Sequence, residues 1–408
     1  MPEYRPIPAK RKREYDGFLR YAFRPEDGPK TDDDEDDKPE LGDRRGLFDD
    51  DDLLCVCKHH WFSTRIRGEW HEMAGLSAVA SPPESRRRGL VQRMLVDSLV
   101  EYRENEVYFS SLWPFSYEFY RKYGWGTVTK FTRYETTPDT LALDTESTGE
   151  FRRVDADDWE LLAPVLAAHG ENYALSIDRT EEWWRNRVFK QWDKDPYVYV
   201  WVQDEDERDS PDTNKDDLKG NARGFIVYVI EDGEDGRQLK TWELAYADDE
   251  AYRHLLRFVQ YHDSQVESVV IHEPENTSLL DMVDNPRDVE CEIHTGPMFR
   301  LVDVPRALES ISFPDEATES IVIGVIDPLA DWNDGTFELD PDDVVLCGRT
   351  DAEPDVTFDV NTLSQLVAGY YSVEGAERFG DCAIESDDAR ARLDSLFPKR
   401  DVFLREGF

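Results

Sequence analysis

Three groups of side chains in this sequence combine a reactive type with a spacing that chemistry could use. The first is the basic turn Arg86-Arg87-Arg88-Gly89, which follows an apolar run ending at Ser81-Pro82-Pro83 and precedes apolar residues at Leu90, Met94, Leu95 and Leu99. That pattern reads as strand, loop and helix. The first N–H groups of a helix lack intrahelical partners and lie at the positive end of its dipole, so the loop can hold a phosphate-bearing ligand. Gly89 lets the backbone come close, and the arginines add charge. The alternative is a solvated, salt-bridged helix start, but a helix start prefers acids, which favours a bound anion. The second group is Tyr117, Tyr120 and Tyr123, a row of phenols at a spacing of three that can pack on one helix face or donate a proton. The third is Cys55-Val56-Cys57-Lys58-His59-His60. Thiolate and imidazole are metal ligands, yet strand-like alternation puts Cys55, Cys57 and His59 on one face, where burial and no metal are expected.

The surrounding elements must position these groups. Two strands are expected over 53–66 and 71–81, joined by the turn Arg67-Gly68-Glu69-Trp70. A helix over 90–102, a strand over 107–112, a helix opening at Trp113-Pro114 and running to Gly124, and a strand over 127–133 follow. Upstream, Tyr15 to Phe23 reads as helical, with Phe18, Leu19, Tyr21, Ala22 and Phe23 as its buried positions. The acidic stretch from Thr31 to Glu40 reads as a loop or disordered insert.

Arg86-Arg87-Arg88-Gly89-Leu90-Val91 resembles the pyrophosphate loop of GNAT N-acetyltransferases, Gln/Arg-x-x-Gly-x-Gly/Ala, with Val91 where a small residue is usual. Phe115 to Gly126, which contains Tyr120-Arg121-Lys122-Tyr123-Gly124-Trp125-Gly126, resembles that family's helix-to-strand segment. The three-arginine loop, this segment and a chain of this length ending in Phe408 resemble more narrowly the Eis family. The resemblance implies an α/β (α+β) fold class: tandem GNAT-like domains with mixed sheets, then a sterol-carrier-like α+β domain. The expected domains are 1–135 (catalytic), 151–304 (a second, degenerate GNAT-like unit) and 305–408. The resemblance implies acetyl-CoA as co-substrate. Backbone groups of Ala78, Val79 and Ala80 would pair with its pantetheine, and Arg86, Arg87, Arg88, Gly89, Leu90 and Val91 would surround its phosphates. Tyr120 falls on the tyrosine that protonates the departing thiolate, a role suited to a phenol pKa of about 10 beside a thiol pKa of about 8.5. The Phe408 carboxylate falls on a terminal group that helps to deprotonate an amine. Members of the family are often hexamers, so a homo-oligomer is implied.

Composition bounds the rest. A chain of 408 residues suits two or three domains. With 48 basic against 90 acidic residues the net charge is −42, and only 13 of the basic residues are Lys. Acid excess of this size suits a salt-rich, halophilic cytoplasm, where the Debye length shrinks to about 3 Å at 1 M salt. Nucleic acid is not an expected partner, because phosphate contacts need a basic face. No apolar run reaches membrane-spanning length and Met1-Pro2-Glu3-Tyr4-Arg5 opens no signal peptide, so a soluble cytoplasmic protein without membrane association is expected. Cysteines at 55, 57, 291, 347 and 382 form no disulfide ladder. In the second unit, Ala245-Tyr246-Ala247-Asp248-Asp249-Glu250 stands where a basic glycine loop would be, and its acids should repel pyrophosphate. The C-terminal domain could enclose a lipid or complete the active site by packing. The function expected is acetyl transfer to a primary amine, whether polyamine, aminoglycoside-like or lysine. A non-catalytic acetyl-CoA sensor or a lipid-binding protein is the competing class.

Overall fold

The computed structural model describes residues 2–29, 41–143, 148–190, 194–203, 221–233, 236–276, 278–341 and 345–408. The acidic stretch 31–40 and the polar insert 204–220 lie outside the described residues. The chain divides into two compact units, Met1–Thr129 with Gly296–Phe408, and Lys130–Thr295.

In the first unit, strands β1 (Glu3–Pro6), β2 (Asp43–Asp49), β3 (Asp52–Ile66), β4 (Glu69–Ala80), β5 (Phe109–Leu112) and β6 (Gly126–Thr127) form one mixed sheet. β3 and β4 are a long antiparallel hairpin in which Ile66 faces Glu69 across Arg67 and Gly68. Both turn residues have positive φ, +53° and +96°, as a two-residue turn matching strand twist requires. Helix α1 (Lys12–Phe23) packs through Tyr15 on Phe48, Val56 and Ala80, and helix α2 (Leu90–Glu104) covers the other face through Leu90, Met94, Leu95 and Leu99. The buried positions of α1 differ from expectation. Tyr15 is its buried anchor, whereas Tyr21 and Phe23 are 50% and 54% exposed, because the face carrying Tyr15, Phe18, Leu19 and Ala22 takes the contact with the sheet.

The second unit holds β7 (Lys130–Thr136), β8 (Glu150–Arg153), β9 (Ile177–Asp178), β10 (Tyr197–Val202), β11 (Ala222–Asp232), β12 (Arg237–Tyr246), β13 (Ser268–Pro274) and β14 (Glu290–Thr295). Its sheet runs β14-β7-β13-β12-β11-β10-β8, with β12 and β13 parallel. The Asp249–Gln260 helix packs on it through Tyr252, Leu255, Leu256 and Val259.

Two strands fall on the other side of the domain boundaries expected from sequence. β7 starts before residue 135 yet joins the second sheet, and β15 (Met298–Leu301) precedes residue 304 yet joins the first, in the order β1-β2-β3-β4-β5-β15-β6. A local pattern identifies a strand but not its partner, and both partners here are remote in sequence.

The C-terminal part adds a sheet in the order β18-β17-β16-β19-β20, from β16 (Ile321–Ile326), β17 (Gly335–Asp340), β18 (Leu346–Arg349), β19 (Val356–Asp359) and β20 (Cys382–Ile384). All eight residues of the helix Val360–Val367 are buried, because it packs on β19 and β16 and also against β15 and β6 of the first sheet.

Candidate active site

The site is built where β4 leaves its neighbour. β4 and β5 pair in parallel from Met73 with Phe109 to Leu76 with Leu112, and the ladder stops there. β4 continues to Ala80 on β3 alone, and its register skips between the partners Val56 and Lys58. The skip is a bulge, and Ala78 within it has φ +55°. An L-residue in the left-handed region costs about 1–2 kcal/mol, a strain that concentrates at functional sites. A bulge bends the strand that carries it, and this one lies just past the end of the β4–β5 ladder. Among the described residues, the β5-facing backbone of Ala78, Val79 and Ala80 has no ladder partner, and such groups need one from water or a ligand.

Past Ala80 the chain turns through Pro83–Ser85 and enters α2. Arg87 has φ +61° and Gly89 φ +74°, and Gly89 caps α2 with no side chain to satisfy its first N–H groups. A Cβ on Gly89 would meet no heavy atom within 4 Å, so the space before the helix is open. Arg86 is tied to the loop by its Nε–H to the Ser81 carbonyl at 3.0 Å and lies 5.9 Å over the Tyr21 ring. Arg87 and Arg88 are exposed and, among the described residues, have no carboxylate partner. In a chain with 90 acids, a pair of arginines without an acid beside an uncapped helix start is a site for an anion. Leu90 is buried beneath the loop, and Val91 is half-buried against the same core.

Tyr120 sits on α3 (Tyr117–Arg121), which starts after the cap Ser116, whose hydroxyl accepts the Phe119 N–H at 3.3 Å. The helix therefore begins later than the Trp113-Pro114 start expected from sequence, because the capping hydroxyl lies at 116. Tyr120 is 3% exposed, packed edge-on to Phe115, Phe119 and Trp125. It belongs to the same core as Leu76 and Leu112, the last pair of the β4–β5 ladder, with Val79 against it. Burial pushes its phenol well above the ordinary tyrosine range, and among the described residues its hydroxyl has no hydrogen-bond partner. Tyr117 instead donates to the Gly296 carbonyl at 2.7 Å.

Phe408 comes to the same strands from the other face. Its ring lies 5.0 Å from that of Phe62 and 5.7 Å from that of His60. A Cβ on Gly75 would lie 2.5 Å from Phe62 Cε2 and 2.9 Å from Phe408 Cε2, so only glycine leaves room for both rings. Gly75 and Leu76 point to opposite faces of β4, so Phe408 and Tyr120 flank the strand end from opposite sides. The tail is anchored by Trp113 Nε1–H to the Glu406 carbonyl, 2.6 Å, and Thr129 Oγ1–H to the Val402 carbonyl, 3.2 Å. The sequence reading missed His60, whose Nε2 lies 3.0 Å from Ser77 Oγ, together with Phe62, Gly75 and Trp113. Alternation along β3 was the available signal, since it places Lys58, His60 and Phe62 opposite Cys57 and His59.

Cys55, Cys57 and His59 are fully buried toward α2. The His59 Nε2 neighbours are Ser98 Oγ at 3.1 Å and Tyr4 Oη at 3.3 Å, and desolvation pushes its pKa down to about 3, keeping it neutral. Among the described residues no group of three or more His, Cys, Asp or Glu side chains could hold a metal, and no helix is long and apolar enough to cross a membrane.

The corresponding junction of the second unit is closed. Asp248 caps the Asp249–Gln260 helix by accepting the Ala251 N–H at 2.9 Å, and Arg223 pairs with the same carboxylate. Where the β12–β13 ladder ends, at Lys240 with Val270, His272 crosses the gap with Nδ1 at 3.0 Å from the Thr241 carbonyl.

Comparison with known proteins agrees with this geometry. An acetyltransferase (GNAT) domain model matches residues 3–128, a second one matches 215–301, and a sterol carrier protein domain model matches 304–405. An uncharacterized N-acetyltransferase of Streptomyces griseus is 25% identical over 369 residues, 84% of each chain. A GCN5-related N-acetyltransferase of Anabaena variabilis superposes with a TM-score of 0.81 at 17% identity, covering 100% of both chains. Eis1 of Mycobacterium abscessus does so with a TM-score of 0.76 at 23% identity, again over 100% of both. The chain therefore carries two acetyltransferase (GNAT) domains followed by a sterol carrier protein domain, in an Eis-like architecture.

Proposed function

We propose that the enzyme transfers the acetyl group of acetyl-CoA to a primary amine by direct attack in a ternary complex. The observation that carries this reading is the open junction between β4 and α2: an uncapped helix start, two arginines without acidic partners among the described residues, and unpaired β4 backbone beside it. Those groups match the donor's two polar parts, with Ala78, Val79 and Ala80 opposite the pantetheine amides and Arg86 to Val91 around the phosphates. The amine approaches from the Phe408 face. Its nitrogen bonds to the thioester carbonyl carbon, the C–S bond breaks, and the sulfur takes the Tyr120 proton. The Phe408 carboxylate orients the amine and accepts its proton directly or through water. Burial holds the Tyr120 phenol in its protonated form at working pH, ready to donate when a thiolate develops beside it. The acidic chain favours a cationic acceptor.

The test is acetyl-CoA-dependent release of free thiol in molar KCl with a mixed pool of amines. Wild type should turn over, and Tyr120→Phe should lose ~100-fold or more in kcat with acetyl-CoA affinity retained. Calorimetric binding without turnover would make the protein a sensor, and absence of binding would overturn the donor assignment.

A further inference from the structure

The helix Val360–Val367 reads Val-Asn-Thr-Leu-Ser-Gln-Leu-Val, and its polar residues are as buried as its apolar ones. Buried polar groups need partners. Those of Asn361 and Gln365 lie in the segment just after Tyr120. Asn361 Nδ2 donates to the Arg121 carbonyl at 2.8 Å and the Trp125 carbonyl at 2.9 Å, and Gln365 Nε2 donates to the Thr127 carbonyl at 2.7 Å. The Tyr123 carbonyl between them accepts from Arg300 Nη1, and Arg300 Nη2 meets Asp327 Oδ2 at 2.5 Å with both side chains fully buried. Asp327 is in turn fixed by the N–H groups of Leu329 and Ala330 and by Asn333 Nδ2. Gly124 is forced by this packing, since a Cβ there would lie 1.4 Å from Arg300 Nη1. Four alternate carbonyls, at 121, 123, 125 and 127, are thus taken by side chains from residues 300 to 365.

α3 has only five residues, too few for its own hydrogen bonds to hold it rigid. The far end of the clamp is held as well. Arg67, in the β3–β4 turn, donates Nε to the Val367 carbonyl at 2.9 Å, Nη2 to the Leu366 carbonyl at 2.5 Å and Nη1 to the Pro398 carbonyl at 2.8 Å. The helix is therefore fixed to the catalytic sheet at one end and to the Tyr120 segment at the other. We propose that the sterol carrier protein domain serves the transferase as a positioning scaffold, with Asn361 and Gln365 as positioning residues that hold the Tyr120 segment through its backbone carbonyls. The proposal rests on the reading of Tyr120 as the general acid.

Steady-state kinetics of Asn361→Leu and Gln365→Leu, alone and with Tyr120→Phe, test it together with amide hydrogen exchange in molar KCl. Each Leu variant should lower kcat ~10- to 100-fold, as a displaced reacting group does, with acetyl-CoA Kd and amine KM within about twofold. In the Tyr120→Phe background the same substitution should cost less than about twofold, because the group it positions is gone. Exchange should quicken over 121–127 and stay unchanged over α2. An unchanged kcat, a loss that adds in full to that of Tyr120→Phe, or unaltered exchange over 121–127 in a folded variant would overturn the proposal while leaving the acid role standing. Full activity in Tyr120→Phe alone would instead bring down the acid reading, and with it the positioning of Tyr120. Should Asn361→Leu fail to fold, Gln365→Leu, which orphans one carbonyl instead of two, carries the same comparison.

Discussion

The two strand-to-helix junctions of this protein share a topology and differ in what ends them. In both, a strand leaves a parallel neighbour and its chain turns into a helix covering the sheet. At the first junction the cap is Gly89, the loop supplies arginines, and the helix's first N–H groups stay open. At the second, Asp248 fills the cap, Asp249 and Glu250 occupy the first turn, and His272 closes the strand gap. A helix start can satisfy its orphan donors with its own carboxylate or leave them for a ligand's anion, but not both. That choice is one part of the difference between a junction that can take a ligand's anion and one that is closed to it.

The most direct way to break the comparison is to install the second junction's cap in the first. Gly89→Asp puts a carboxylate at a residue with φ +74°, a conformation that Asp tolerates better than most residues, and with no heavy atom within 4 Å of its Cβ. Fold and melting temperature should survive. Acetyl-CoA Kd, read by calorimetry in molar KCl, should rise ~100-fold through charge repulsion and competition for the same N–H groups. Undiminished affinity would show that the phosphates are not held at this junction.

The layout of the first junction was legible because it is local: strand, arginines, glycine and helix follow one another within about twenty residues, as do Tyr120 and the glycines after it. What stayed hidden is non-local. The exchange of β7 and β15 between sheets depends on strand pairing, which alternation does not encode. Asn361, Ser364 and Gln365 look like the wet face of an amphipathic helix, yet they are buried because their partners lie up to 240 residues away. Arg67 looks like a surface turn residue, although its guanidinium is buried among three carbonyls and desolvation pushes its pKa down to about 9. The tail's path to Gly75 left one mark in the sequence, the missing side chain at that position.

The likeness between the units can also be tested, through the buried neutral histidine that each contains. Desolvation pushes His59 down to about 3 and His169 down to about 4, from an ordinary value of 6.5. Both folded pKa values are depressed, so the unfolded chain binds protons that the folded one refuses. The stabilisation is fully present above pH 6.5 and is lost as pH falls toward 3–4. Lowering pH from 7 to 4.5 should lower the melting midpoint by roughly 5–10 °C through these two groups. Protonation of carboxylates affects every variant alike. The check is therefore the difference: His59→Gln and His169→Gln should each show a shallower acid limb than wild type, and identical limbs would mean that neither imidazole is held neutral.

The smallest expected effect tests the comparison from the other side. Asp248→Ala removes the second junction's cap and leaves the Ala251 N–H without its acceptor, which should cost about 1 kcal/mol of stability. It also frees Arg223, the cation paired with that carboxylate. One arginine beside an uncapped helix is not the first junction, however, because Asp249 and Glu250 still occupy the first turn and His272 still spans the strands. Acetyl-CoA should therefore bind with the same stoichiometry in the variant as in wild type, and turnover should be unchanged. A second binding event appearing on loss of this one carboxylate would mean that the cap alone excludes the ligand. The acids of the first turn and the closed gap would then be incidental, and the difference between the two units would reduce to a single side chain.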